Sequence, residues 1–236
     1  PVADRLVVNL VRYLAHGVRP ESKRAVVCVG EGSHSLARDL GVTPQGADAV
    51  CGPDALVVAG PGAAVPPGFD QALEKGLNAV CLGMSGEELR KWCPCPVSTV
   101  RTNACFSRIE ILPPEMNGLC NADWAWHGRM TFDALSVPEG EKDSASPALR
   151  VIRHGKGCLV LWQVPPWAID EKAKPYLRTS KRHANAMAAR LLANLGAEIH
   201  APLNERFSQS DEKEWLKSYY LDVPEAGDDP YRYYRW

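Results

Sequence analysis

Apolar residues along this chain come in short unbroken runs, each followed by a glycine turn and an amphipathic segment. Residues 24–30 (RAVVCVG), 55–60 (ALVVAG) and 78–82 (NAVCL) are three such runs. Continuous apolar stretches of this length predict strands buried on both faces, as in a parallel sheet. The segments behind them predict helices. One spans 31–41, with Ser33 near its start and Gly41 at its end; another spans 69–75 and ends at Gly76. The third spans 85–92 and opens with a capping box, Ser85 followed three residues later by Glu88. Strands alternating with helices at this spacing predict βαβ units with right-handed crossovers. Ligands on such sheets bind outside the carboxyl ends of the strands, so the loops 30–35, 60–67 and 83–85 are the ones to watch.

The two ends of this pattern are also helical. Residues 1–15 place Val2, Leu6, Leu10 and Tyr13 or Leu14 on one face, and Gly17 ends the run. Residues 176–195 predict a long helix with Ala184, Met187, Ala188, Leu191, Leu192 and Leu195 inward, closed by Gly196. Before it, 149–153 and 157–164 flank His154-Gly155-Lys156-Gly157 as a hairpin. The middle, 93–147, breaks the rhythm with Pro94, Pro96, Pro113, Pro114, Pro138 and Pro147. It reads as an irregular insertion with β-like pieces at 105–112 and 130–137 and an exposed polar loop at 139–146. The expectation is a three-layer α/β/α domain over 18–200 with a mainly parallel sheet and this β insertion.

An internal echo bears on domain organisation. Arg5-Leu-Val-Val-Asn9-Leu10 matches Arg190-Leu-Leu-Ala-Asn194-Leu195, both on amphipathic helices. Either two helices agree by chance, or residues 1–17 are the last helix of a preceding, similar domain. The tail, 201–236, differs again: it carries Trp215, Tyr219, Tyr220, Tyr231, Tyr233, Tyr234 and Trp236. Leaving such rings in water forgoes roughly 1.5–3 kcal/mol each, so this tail is expected to dock on its own domain or on a neighbour.

Composition narrows the function classes. The chain has 236 residues with a net charge of −1, which offers no general electrostatic footprint for nucleic acid or anionic membrane. No apolar run approaches the ~20 residues of a membrane span, and the start reads as no signal peptide. Cys28, Cys81 and Cys158 fall inside apolar runs, where cysteine behaves as a small hydrophobe. Cys93-Pro94-Cys95 is a C-x-C, not the C-x-x-C of zinc or redox sites. Cys105 and Cys120 are candidates for a bridge. No cofactor and no metal is expected. Gly30-Glu31-Gly32-Ser33 lacks the Lys of a phosphate loop, and Ser35 stands where a dinucleotide loop needs its third glycine. Asp222, Glu225, Asp228 and Asp229 form an acidic stretch without calcium-loop spacing.

Two constellations remain. Cys81 lies where strand, sharp turn and helix meet, the local geometry of a nucleophile elbow. Cysteine catalysis there needs a histidine base, an orienting acid and backbone N–H donors for an oxyanion, and Gly60-Pro61-Gly62 is placed to supply the donors. The second is Asp123-Trp124-Ala125-Trp126-His127-Gly128-Arg129, in which paired indoles with Asp123, His127 and Arg129 suit a sugar ring; the plainer reading is that the indoles anchor the insertion.

Cys81-Leu82-Gly83-Met84 resembles the elbow of class I glutamine amidotransferases. That family's His-x-Glu pair has no counterpart: none of His16, His34, His127, His154, His183 and His200 is followed two residues later by Glu. Gly155-Lys-Gly-Cys-Leu-Val-Leu-Trp-Gln163, the Arg190–Leu195 helix, Asn121-Ala-Asp-Trp124 and the ending Asp229-Pro-Tyr-Arg-Tyr-Tyr-Arg-Trp236 resemble the C-terminal, flavodoxin-like accessory domains of bacterial family 2-like, β-galactosidase-type glycoside hydrolases. The resemblance implies a domain without its own triad, attached to a separate catalytic barrel with paired carboxylates. Its partners would be other domains of the same polypeptide, a second copy, or carbohydrate. Its compartment would be the periplasm or the exterior if the parent degrades polysaccharides. A Cys81-dependent hydrolase and a free-standing sugar-binding module are the alternatives.

Overall fold

The computed structural model describes residues 23–45, 52–141 and 145–199. The chain divides into two compact units, residues 1–199 and 200–236. The helix expected at 1–17, the aromatic tail 201–236 and its acidic stretch lie outside the described residues.

The fold is mixed α/β, built on a mostly parallel sheet of five strands. Strand β1 (Ala25–Val29), β2 (Ala55–Ala59) and β3 (Asn78–Leu82) coincide with the three apolar runs. Helix α1 (Ser33–Asp39) follows β1, α2 (Phe69–Lys75) follows β2 and α3 (Gly86–Trp92) follows β3. The capping box at Ser85 forms as read: the Ser85 hydroxyl accepts from the Glu88 N–H, and Glu88 accepts from the Ser85 N–H. The insertion contributes β4 (Thr99–Phe106) and β5 (Ala125–Leu135), an antiparallel pair that forms a sheet of its own. Then β6 (Leu149–His154) and β7 (Gly157–Trp162) form the expected hairpin, and α4 (Arg178–Asn194) is the long helix.

The strand order is β1-β2-β3-β7-β6, with β1, β2, β3 and β7 parallel and β6 antiparallel. On the other side of β1, Gln45 makes a single parallel bridge to Val27. Side chains alternate across the pleat and so feed two apolar clusters. Leu56, Val58, Val80, Leu82 and Val160 join Leu36 of α1 and Met187, Leu191 and Leu192 of α4. Val57, Ala59, Ala79, Cys81, Leu159 and Leu161 join Phe69 and Leu73 of α2 and Leu89 and Trp92 of α3. Burial of β2, β3 and β7 on both faces explains why these strands read as unbroken apolar runs.

The insertion departs from its expected layout. The first strand is Thr99–Phe106, earlier than the piece at 105–112. It is mostly exposed and paired only with β5, so it carries little apolar signal. The apolar residues that suggested the later piece serve a loop: Ile109 is buried, and its backbone N–H and C=O are met at 2.9 Å by the Asn121 carboxamide, which replaces a strand partner. The loop expected to be exposed at 139–146 is exposed only at first. Ala145 and Ser146 are buried, because Ser146 N–H donates to the Leu149 carbonyl at 2.8 Å and ties the segment to the start of β6.

Candidate functional site

The parallel strands end on one edge, and the loops after β1, β2, β3 and β7 meet there. Gly30 and Gly60, which end β1 and β2, lie at a close backbone approach. A Cβ on Gly60 would lie 1.8 Å from the Glu31 carbonyl oxygen, and one on Gly30 would lie 2.4 Å from the Gly60 oxygen. Glu31 N–H donates to the Pro61 carbonyl at 2.8 Å, and Gly60 N–H to that of Val29 at 2.8 Å, so the first two loops are sewn together. The segment after β7 closes the rest. Trp167 covers Gly32, where a Cβ would meet the indole at 2.6 Å. Pro165 covers Gly83, and the buried Gln163 donates its Nε2–H to the Met84 carbonyl at 3.0 Å. Backbone and apolar side chains therefore crowd Gly30, Gly32, Gly60 and Gly83 at the carboxyl ends of the strands, while Gly30, Glu31 and Gly62 remain exposed. The run Gln163-Val-Pro-Pro-Trp167 was not singled out from the sequence; two prolines and a tryptophan directly after a buried strand were the available signal.

Cys81 sits below that edge, within β3, opposite Ala59 of β2 and Leu161 of β7. It is 1% exposed. Burial pushes its thiol well above the ordinary cysteine range, with Cys93 adding to the effect. A reactive cysteine needs the opposite, a thiolate stabilised by a cation or helix terminus. The turn is also out of step with a nucleophile elbow, where the nucleophile itself occupies the strained turn. Here the left-handed residue is Gly83, at φ 63°, two residues past Cys81; among the described residues only glycines have positive φ. A Cβ on Gly83 would lie 3.0 Å from Pro165 Cγ, so the elbow position carries no reactive side chain and is crowded from one side.

Neither His154 nor the Gly62 donor is placed to serve Cys81. His154 pairs with Gly157 at the amino end of β7, whereas Cys81 pairs with Leu161. Four residues along a strand is about 13 Å, so the imidazole lies toward the opposite edge of the sheet. The Gly62 N–H, expected as an oxyanion donor, donates at 2.7 Å to Glu88 Oε1. The other carboxylate oxygen accepts from Ser85 N–H at 2.8 Å and Ser85 Oγ at 2.7 Å. The candidate oxyanion donor is thus satisfied by an internal carboxylate. The Gly62 N–H, with the two Ser85 donors, holds the Glu88 carboxyl below its usual range against the opposing effect of its partial burial.

That arrangement has a pH signature. A depressed folded-state pKa stabilises the fold above the ordinary carboxylate range, and this contribution is lost as pH falls through the lower folded value. Glu88→Gln is expected to cost about 1 kcal/mol near neutrality, the size of a capping interaction. The gap between variant and wild type should close below pH ~4.3, the unperturbed glutamate value, in urea titrations followed by circular dichroism. A gap that persists unchanged into acid would show that the charge on Glu88 contributes nothing.

The second constellation is split by the pleat of β5. Trp126 points inward with Met130, Phe132 and Ala134, while His127 and Arg129 are exposed on the other face. Trp124, on the short helical turn Asn121–Trp124 before β5, is 1% exposed. Trp126 meets the Phe132 ring edge-on at 5.7 Å. Asp123 caps its own turn, accepting from the Cys120 N–H at 2.8 Å. The His127 N–H donates to Ser180 Oγ of α4 at 2.8 Å. The paired indoles hence lie in the core, and the polar residues that would have joined them around a sugar ring face elsewhere.

α4 holds the insertion in place through the residues of the sequence echo. Asn194 Nδ2 donates to the carbonyls of Glu115 at 3.0 Å and Asn117 at 2.8 Å, and Arg190 lies against Gly118. Cys105 and Cys120, candidates for a bridge, are free and exposed. Among the described residues, no group of three or more His, Cys, Asp or Glu side chains is placed to hold a metal ion, and no helix is long and apolar enough to cross a membrane. Neither the protein-family models nor the curated proteins compared with this chain give a match.

Proposed function

We propose that this chain is a non-catalytic accessory domain of a multidomain glycoside hydrolase, of flavodoxin-like three-layer architecture, serving domain assembly or oligomerisation or bordering the sugar site. The observation that carries the non-catalytic part is the burial of Cys81 below the carboxyl edge of the sheet, with glycine at the elbow, Pro165 against it and Glu88 on the Gly62 donor. The architecture is supported by strand order. Counting the single Gln45 bridge as a residual second strand gives the flavodoxin order 2-1-3-4-5 across Gln45, β1, β2, β3 and β7, with β6 added at the end. Helices on both apolar clusters fit the same plan. The link to a glycoside hydrolase rests on the sequence resemblance of the β7 hairpin, the α4 helix and the C-terminal motif, and fold alone assigns no activity.

The test is direct. Purified chain should show no turnover of glutamine, of activated esters or of aryl galactosides, and Cys81→Ser should leave those blanks unchanged. Removing residues 23–199 from the parent polypeptide should lower its glycosidase activity or its oligomeric state. Thiol-dependent hydrolysis that vanishes in Cys81→Ser would overturn the reading in favour of an amidotransferase-like enzyme. A parent with unaltered activity and assembly after the deletion would overturn the accessory role.

A further inference from the structure

The antiparallel pair β4–β5 has one covered edge and one open edge. Backbone groups on an antiparallel strand point to alternate sides, so every second residue serves the partner and the others face outward. Ser136 N–H donates to the Ser98 carbonyl at 2.9 Å, in the register that sets Val100 opposite Ala134 and Thr102 opposite Phe132. Up to Ala104, therefore, the even-numbered residues of both strands bond across the pair and the odd-numbered ones face outward. On β5 the outer edge is covered. Leu135 N–H donates to the Pro147 carbonyl at 2.8 Å, His127 N–H donates to Ser180 Oγ at 2.8 Å, and Gly128 lies against Tyr176.

The outer edge of β4 has no such cover. Among the described residues, no strand or loop bonds the outward backbone groups of Thr99, Arg101 and Asn103. Exposed edges are normally blunted by lysine, proline, charge or a covering segment. The five-stranded sheet follows that rule: Gln45 N–H donates to the Val26 carbonyl at 2.7 Å beside β1, and β6 keeps Arg150 and Arg153 in ion pairs. β4 does not. It runs 8 residues without lysine or proline. Its one charge, Arg101, is matched by Asp133 at 3.1 Å. Val100 on it is 63% exposed. A row of unmet N–H and C=O groups beside neutral, partly apolar side chains is a template for another strand.

We propose that β4 pairs antiparallel with β4 of a second copy of this chain, about a two-fold axis at Thr102, to give a four-stranded sheet β5-β4-β4-β5. A two-fold contact joins the same patch of each copy, and antiparallel strands are related in that way. Only pairing of odd-numbered with odd-numbered residues uses the free groups. An axis at Arg101 would set two guanidinium groups opposite one another, and like charges directly opposite are destabilising. An axis at Asn103 would need regular backbone at Cys105, where the register shifts. At Thr102, Arg101 exchanges hydrogen bonds with Asn103 of the second copy. The closer, non-hydrogen-bonded pairs are then Thr102 with Thr102 and Val100 with Ala104, so the exposed Val100 gains an apolar neighbour. Two strands alone are marginal in water, and four are not. The inference rests on the oligomerisation part of the reading above and gives it a surface; it uses no link to a glycosidase.

The intact 236-residue chain serves for the test, by sedimentation velocity at rising concentration with hydrogen exchange read on β4. The expected result is a monomer–dimer equilibrium in which exchange of the Arg101 and Asn103 amides slows as dimer forms. Asn103→Pro removes an outward N–H and leaves every bond to β5. It should weaken association by about tenfold or more, the loss of one hydrogen bond from each copy, with native circular dichroism. Asn103→Lys sets a second cation opposite Arg101 of the other copy without touching the backbone. It should weaken association in the same direction, with recovery at high salt, and it decides the matter if the proline variant misfolds. A chain that stays monomeric at every concentration would overturn the proposal, as would a dimer that Asn103→Lys leaves intact. Full protection of the Asn103 amide in dilute monomer would also overturn it, because another segment of the same chain would then cover the edge. None of these outcomes touches the accessory reading, which the deletion of residues 23–199 from the parent decides. A dimeric chain whose deletion leaves the parent unaltered would retire that reading and keep this edge.

Discussion

Trp124→Ala is expected to lower the unfolding free energy by about 3–5 kcal/mol, the cost of emptying a large buried aromatic site. For a domain of this size that is roughly 6–20 °C in the thermal midpoint. The ring is 1% exposed and belongs to the cluster that joins the insertion to α4, with Ile109, Met116 and Leu177. Trp124→Phe should cost much less, because it keeps most of the apolar volume and removes an indole N–H that is buried without an acceptor. The pair of variants separates the two meanings of this residue. A tryptophan that served as a platform for sugar would be exposed, and its removal would weaken glycan binding while leaving thermal unfolding nearly unchanged. Differential scanning calorimetry with and without galactosides reads both quantities, and a stable Trp124→Ala chain would refute the core role.

Gly60→Ala should be more damaging still, beyond the ~4 kcal/mol that marks an exceptional substitution. A Cβ there would sit 1.8 Å from the Glu31 carbonyl oxygen, and the obstacle is backbone that cannot swing aside. The two loops would have to part, breaking the Glu31 to Pro61 and Gly60 to Val29 hydrogen bonds. Gly62→Ala is the control in the same loop. A Cβ at Gly62 meets nothing within 4 Å, and its φ of 74° alone sets a cost of about 1–2 kcal/mol. Expression yield and denaturant midpoints of the two variants should therefore differ sharply. Equal tolerance of both would mean that the strand-end loops are not packed together.

The parallel half of the molecule was legible from the chain. Strands buried on both faces give runs such as ALVVA, and glycine stops at Gly41, Gly76 and Gly196 mark helix ends locally. The Ser85–Glu88 box needs only residues three apart, so it forms wherever that helix does. The inward set on α4 was equally plain: Ala184, Met187, Ala188, Leu191, Leu192 and Leu195 are all buried. The insertion was less legible because its strand β4 makes few apolar contacts, and because Asn121 rather than a strand partner satisfies the backbone of Ile109. Trp124 and Trp126, read as candidates for sugar contact beside a plainer anchoring role, are both buried.

The candidate sites show the same division. Sequence alone determined that Cys81 lies on an apolar strand before a glycine turn, and that no His-x-Glu pair exists to serve it. Only the tertiary structure decided that Gly83 occupies the elbow conformation, that Pro165 and Trp167 return from β7 to cover it and Gly32, and that Glu88 takes the Gly62 donor across the loops. Periodicity and capping are set by residues within a turn or two of each other, and so can be read along the chain. Which charges meet, and which openings close, depends on residues brought together from distant segments by the sheet order, and that information appears only when the sheet is assembled.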